Sequence, residues 1–179
     1  AVVTDSTAYI PRDIIEGLDI HVIPLSVNFG DETYREGIDI TSEEFYAKLK
    51  ETKVLPTTSQ PAIGDFIEKY AELEKDYDAV ISIHLSSKFS GTFQVAKSAG
   101  NMMESLKVYA YDSEKSAMPQ GFYVIRAAEL AKEGIAPEEI IQTLDEIKEN
   151  TRAYFMVDDL SHLQRGGRLS GAQAMLGSL

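Results

Sequence analysis

Ala79-Val80-Ile81-Ser82-Ile83-His84 runs directly into Leu85-Ser86-Ser87-Lys88-Phe89-Ser90-Gly91-Thr92, and this stretch decides the fold class. Its first half is rich in β-branched residues and lacks the clean alternation of a half-solvated strand, the pattern of a strand buried on both faces of a parallel sheet. Its second half is a hydroxyl-rich loop carrying a glycine, the composition of a strand-to-helix turn.

Working outward, the runs 1–4, 108–111 and 153–157 have the same apolar, β-branched or aromatic character. Between them lie helical patterns. Ile63, Phe66, Ile67, Tyr70 and Leu73 keep 3.6-residue spacing, as do Ile140, Ile141, Leu144 and Ile147. Pro11 and Pro137 suit first helical turns, and Gly17 and Gly134 mark helix ends. Strand alternating with helix predicts an α/β fold, a three-layer α/β/α domain around a parallel sheet with right-handed crossovers. One region departs from that rhythm. Residues 20–29, the turn Gly30-Asp31-Glu32 and residues 33–36 read as an antiparallel hairpin. Thr41 and Glu44 then form a capping box for a helix with Phe45 and Leu49 on one face. In Leu55-Pro56-Thr57-Thr58-Ser59-Gln60-Pro61 the prolines keep Leu55 and Gln60 out of helical geometry, which predicts an ordered, hydroxyl-bearing loop.

Composition narrows the function classes. A chain of 179 residues that is 44% hydrophobic can bury a real core. With 17 basic against 29 acidic residues, its net charge of -12 repels nucleic acid and anionic membrane surfaces. The lack of cysteine excludes disulfide and thiolate chemistry and fits a reducing cytoplasm. His21, His84 and His162 are far apart, and none has a second histidine at i+4, so no metal site is expected. No apolar run approaches the roughly 18 residues of a membrane span. The chain is therefore read as soluble and unexported, with a first strand already under way at Ala1 and a few residues expected upstream.

Ligands of open α/β sheets sit beyond the carboxyl ends of the strands. There the sequence places Thr4-Asp5-Ser6-Thr7, the loop Ser86 to Thr92, and Asp112-Ser113. Any one such hydroxyl is ordinarily a helix N-cap, and Ser6 and Ser113 are assigned that role. A single cap does not explain four hydroxyls in one loop, where Gly91 is expected to admit close backbone approach. Hydroxyls beside free backbone N–H groups make a site for an anionic oxygen. Ser90 as a nucleophile would need a base, and the available partners are His84, expected inside a strand, and Asp5 or Asp112. The hydrolase G-x-S-x-G elbow is absent. Arg165-Gly166-Gly167-Arg168 matches no phosphate-binding loop; it is read as the left-handed end of a short helix over 159–164, with Arg168 able to pair a carboxylate at a further helix start near Ser170. Phe89, Phe93, Met102, Met103, Met118 and Phe122 are read as core, with a lipid pocket as the alternative.

Taken in order, Val3-Thr4-Asp5-Ser6-Thr7, Val22-Ile23-Pro24-Leu25, Thr57-Thr58-Ser59-Gln60-Pro61, Leu85 to Thr92, Asp112-Ser113 and Leu163-Gln164-Arg165-Gly166-Gly167-Arg168-Leu169-Ser170 resemble the DegV family from end to end. The resemblance implies a two-domain fold related to the dihydroxyacetone kinase substrate-binding subunit, with a long-chain fatty acid such as palmitate between the domains. It implies that Thr58 and Ser90 contact the carboxylate, with Ser59 and Thr92 as neighbours and Arg168 approaching from the second domain. It implies no cofactor, no catalysis by the chain itself, and in several bacteria a partner fatty acid kinase that makes acyl phosphate. Residues 1–151 would be the first domain and 152–179 the start of a second, cut short, since family members continue for roughly a further hundred residues. The missing part would bring much of the acyl tunnel and a family histidine, so the 179 residues alone are expected to expose an apolar face and hold fatty acid weakly. Two other readings stand beside this one. The first is an enzyme using Ser90, either a serine hydrolase or kinase-like. The second is an interaction module whose acidic surface recruits a basic partner.

Overall fold

The computed structural model describes residues 1–52, 55–156, 163 and 166–168. Its centre is a parallel sheet in the order β2-β1-β6-β7, made of β1 (Val2–Asp5), β2 (Ile20–Ile23), β6 (Ala79–His84) and β7 (Lys107–Asp112). Each sheet face carries its own core. On one, Ile81, Ile83 and Tyr111 pack with Tyr123, Val124, Ile140 and Leu144 of α5 (Met118–Lys132) and α6 (Pro137–Asn150), beside α1 (Arg12–Leu18). On the other, Val3, Ile23 and Val80 pack with Phe66, Tyr70 and Leu73 of α3 (Ile63–Leu73) and Ala96 and Ala99 of α4 (Thr92–Gly100). This is the expected three-layer α/β/α arrangement. A fully buried Phe66 or Leu144 contributes about 2 kcal/mol through removal of apolar surface from water.

The predicted hairpin is present with a shorter first arm. Pro24 has no N–H to give a ladder, so the segment from Ile20 divides there. Ile20–Ile23 joins the parallel sheet, and Leu25 N–H turns to Ser6 Oγ at 3.0 Å. β3 (Ser26–Phe29) then pairs antiparallel with β4 (Glu32–Arg35) around Gly30, whose φ of 62° suits the turn. The proline-bracketed loop is a strand: β5 (Thr57–Ser59) pairs antiparallel with β3, Thr58 opposite Val27, to complete a second sheet, β4-β3-β5. Prolines at 56 and 61 exclude helix and leave extended backbone available to an edge. Val27, Phe29 and Ile40, with Tyr34 and Phe45, form its small separate core. The Thr41–Glu44 capping box opens α2 (Ser42–Glu51) as predicted, with both reciprocal bonds present.

Other expectations shift. Gly17 lies inside α1, and the helix is ended by Asp19 in left-handed geometry, φ 54°. Met102 and Phe122 are exposed rather than core, whereas Met103 packs against the second core cluster. Residues 151–156 form no strand, having no ladder partner among the described residues; Val157 lies outside them. So do the proposed helix over 159–164, apart from Leu163, and the helix start near Ser170. No described helix is long and apolar enough to cross a membrane.

Candidate functional site

Parallel pairing brings the carboxyl ends of β1, β6 and β7 to one edge, with Thr4 opposite Ile83 and His84 opposite Asp112. The chain leaves β1 toward β2 on one side, while β6 lies on the other, so the sheet's crevice opens between the β1 and β6 exits. A cleft of about 390 Å³ occupies that place. Thr7 and Tyr9 line it after β1, and Leu85, Phe89 and Ser90 after β6. Thr58, Ser59 and Gln60 come from the edge of the small sheet, Phe155 and Arg168 from the C-terminal segment. Its walls are mostly apolar, with several hydroxyls among the lining residues, the composition of a pocket for an amphipathic ligand.

The predicted residues divide into three positions. Thr58 and Ser59 lie on exposed β5, where Ser59 Oγ accepts from Asn28 Nδ2 at 3.4 Å. Ser90 lines the cleft, and its Oγ lies 2.9 Å from Thr92 Oγ1 while accepting the Thr92 N–H at 3.3 Å. Thr92 itself is fully buried at the start of α4 and is not among the residues that line the cleft, so it meets the cleft through Ser90. Arg168 is held by its own bonds, Nε to Phe89 O at 3.3 Å and an NH to Gly166 O at 2.8 Å. The left-handed turn predicted there is present, with Gly167 at φ 72° and Arg168 N–H bonded to Leu163 O at 2.8 Å. Gly91 serves a different purpose from the one expected. A Cβ there would lie 2.3 Å from Gln60 Oε1, so the missing side chain lets Gln60, not a ligand, approach the loop.

Behind the cleft lies a buried polar ladder. Tyr70 OH donates to Ser82 Oγ (2.8 Å), Ser82 Oγ meets His84 Nε2 (2.7 Å), and His84 Nδ1 meets Asp5 Oδ2 (2.9 Å). The donor and acceptor roles of the two ring nitrogens depend on the tautomer; in the order where Ser82 donates to Nε2, Nδ1–H donates to the Asp5 carboxylate. Asp5 also receives the Leu85 N–H, the Thr7 N–H and hydroxyl, and Gln120 Nε2. Burial alone would raise the Asp5 carboxyl; the bonds from His84, Thr7 and Leu85 outweigh it and hold the group below its ordinary value. Both His84 nitrogens are therefore engaged away from Ser90. Asp112 accepts the N–H groups of Ser87 and Glu114 instead of orienting a histidine. The Ser90–His84–Asp112 triad is not assembled.

Ser6 and Ser113 are not caps in the expected sense. Asp5 caps the 3-10 turn Ser6–Ala8, and Ser6 Oγ instead donates to Glu36 Oε2 at 2.6 Å. Ser113 bonds around Lys115, before α5 begins. Two cleft residues escaped sequence reading altogether. Tyr9, left-handed at φ 49°, donates its hydroxyl to Glu36 Oε1 at 2.9 Å. Burial first and the Glu36 carboxylate second raise the Tyr9 phenol above its ordinary value, so it stays a donor. Tyr9, Glu36 and Thr58 also border a larger groove of about 680 Å³ on their far side. Neither residue lies in a motif, and no local signal pairs positions 27 apart.

The family model described as uncharacterised protein, DegV family, matches residues 1–179. The chain belongs to the DegV family. It is 59% identical over its whole length to Protein DegV of Bacillus subtilis strain 168 and 56% identical to a DegV domain-containing protein of Listeria monocytogenes. In both cases it spans 64% of the relative, less than two thirds. The crystal structure of DegV, a fatty acid binding protein from Bacillus subtilis, superposes with a TM-score of 0.93, covering all of this chain and 64% of that one. A structure from Thermus thermophilus, described as showing fatty acid binding of a DegV family protein, gives 0.84 at 38% identity over the same shares. The parallel sheet with its small antiparallel companion is thus the DegV fold. Among the described residues of this DegV-family chain, no group of His, Asp or Glu could hold a metal ion.

Proposed function

We propose that the chain binds a long-chain fatty acid and holds its carboxylate with Thr58, Ser59 and Ser90, Thr92 fixing the Ser90 hydroxyl and Arg168 supplying positive charge. The observation that carries this reading is the cleft itself. Three segments distant in sequence line one mostly apolar cavity with hydroxyls and a guanidinium, and the buried His84 nearby has no free nitrogen to act as a base. Such a site can bind an anionic head group and an alkyl tail, and it lacks the activated nucleophile that hydrolysis would need. The chain then acts as a cytoplasmic carrier, not an enzyme, and any phosphoryl transfer belongs to a partner fatty acid kinase. Cysteine-free composition supports that compartment. The relatives' fatty acid binding supports the ligand.

Residues 1–151 are on this reading one domain, and 152–179 open a second whose remainder supplies further wall to the acyl tail. Calorimetric titration with oleate and palmitate tests the reading, together with native mass spectrometry of a version extended to the relatives' length. A co-purified or titratable acid is expected from the extended protein. Its absence in both measurements, or turnover of an acyl ester that disappears in Ser90→Ala, would reject the carrier.

A further inference from the structure

Glu36 lines two cavities, the cleft and the groove of about 680 Å³ on the far side of Tyr9 and Thr58. The groove lies where two cores meet. Ile10, Ile15 and Val22 line it from the core of the large sheet, and Val27, Ile40 and Phe45 from that of the small one. Such a volume with mostly apolar walls suits a small-molecule site. Among the described residues its charged lining is Asp5, Glu36 and Arg12. Arg12 bridges Glu16 at 2.7 Å along exposed α1, and the buried Asp5 has both oxygens bonded inside the protein. Glu36 is different. Its half-buried carboxylate accepts one bond on each oxygen, from Tyr9 OH at 2.9 Å and Ser6 Oγ at 2.6 Å, where about four can be accepted. Tyr9 and Tyr46 both line the groove with more than half of their surface exposed, and the Tyr46 ring meets Phe45 edge-on at 5.2 Å. Burial first and Glu36 second raise the Tyr9 phenol, with smaller contributions from Tyr46 and Asp5, so these groups lie within range of one another's charge.

We infer that this groove binds a small organic cation, a primary ammonium on an aromatic or branched hydrocarbon body, with the ammonium at Glu36 beside Tyr9 and Tyr46 and the body against Val27 and Ile40. Each feature of the lining favours that chemistry. The unused lone pairs of Glu36 accept N–H donors, which a quaternary ammonium lacks. Tyrosine and phenylalanine rings attract a cation to their faces. The acidic lining on a chain of net charge -12 draws cations in and holds anions off. A carboxylate or phosphate would meet Glu36 and Asp5 as like charges, and an uncharged hydrocarbon would strip water from Glu36 and return no bond. The site stands independently of the fatty-acid reading, because Ile38, Ile40 and Tyr46 line the groove and not the cleft.

The test is an NMR titration of the full chain at low salt with 2-phenylethylamine, its N,N,N-trimethyl analogue and 3-phenylpropionate, in the parent, Glu36→Gln and Tyr46→Ala. In the parent, the amine should shift the Ile38, Ile40 and Tyr46 amides saturably, the trimethyl analogue should bind more weakly, and 3-phenylpropionate should leave those signals in place. Glu36→Gln should weaken the amine about tenfold or more, the loss of a charged hydrogen-bonding partner. Tyr46→Ala should weaken it about two- to fivefold, the worth of one exposed ring facing a cation. Because Glu36 also holds Tyr9 and Ser6, the Tyr46 variant decides the matter if Glu36→Gln disturbs the fold; it truncates an exposed ring and leaves the cleft lining intact. No saturable shift in the parent, equal amine affinity in parent and Tyr46→Ala, or 3-phenylpropionate binding as tightly as the amine would overturn the site. Tighter binding of the trimethyl analogue than of the amine would overturn the pairing of N–H donors with Glu36.

Discussion

Two polar regions meet at the same sheet edge and do opposite things. The ladder Tyr70–Ser82–His84–Asp5 is sealed, each of its side chains bonded to the next inside the protein. The cradle of Thr58, Ser59 and Ser90 is exposed or half-exposed, with hydroxyl capacity left over. Residue type does not separate them, since both are built from hydroxyls beside acidic and basic groups. What separates them is whether the bonds close inside the chain. A closed network fixes the positions of loops, and an open one leaves hydroxyls with unused bonding capacity.

Breaking the ladder should have the largest effect. His84→Ala would leave the Asp5 carboxylate buried without its imidazole donor, and removing one partner of such a pair costs about 3 kcal/mol or more. A matching drop in the free energy of urea unfolding extrapolated to water is expected; a change below about 1 kcal/mol would mean the ladder is dispensable.

Next comes pH. The folded Asp5 carboxyl titrates below its unfolded value of 3.8. Its stabilisation is therefore fully present above that value and is lost as pH falls through the folded one. Urea unfolding between pH 6 and 2.5 should show an acid limb that becomes shallower in Asp5→Asn, after allowing for the other carboxylates. An identical limb in both proteins would show that Asp5 carries no such linkage.

Smaller effects belong to the cradle, and they should appear in binding rather than stability. Thr58→Val keeps the β-branched shape on an exposed edge, so unfolding should change by less than about 0.5 kcal/mol. Oleate affinity of a version extended to the relatives' length should fall about ten- to a hundredfold, the worth of one hydrogen bond to a charged oxygen. Equal losses in stability and affinity would erase the distinction between the two regions. Smallest of all is Gly91→Ala. The clashing atom is the end of the flexible Gln60 side chain, which can swing away. A few tenths of a kcal/mol in stability are expected, with a shifted Gln60 amide signal in the NMR spectrum.

Most of this fold was legible because buried strands and helix faces write themselves locally. The run Ala79–His84, the Thr41–Glu44 box and the spacing of Phe66, Tyr70 and Leu73 each state their structure within a few residues. What stayed hidden depends on pairing across distance. Thr57–Ser59 is a strand only because β3 offers it an edge, and three polar residues between prolines carry no such message. The same holds at the site. Thr58, Ser59, Ser90 and Arg168 stood out through motif and glycine pattern and share one cleft. Thr92 stood out equally yet points into the protein. Glu36 and Tyr9 gave no sign, because only folding brings them together. His84 could be placed in a strand from sequence, but its partner Asp5 is 79 residues away.

The two halves of the cradle rest on different cores. Ser90 follows β6, anchored in the large sheet, whereas Thr58 and Ser59 hang from a three-stranded sheet over Val27, Phe29 and Ile40. Local opening draws on the core beneath each segment, so the small sheet lies at the low end of the molecule's range of opening energies. Backbone amides of β3 should exchange with deuterium well before those of β6. The residence time of anything gripped between the two halves is then set by how often the smaller one breathes, a clock that runs without unfolding the rest.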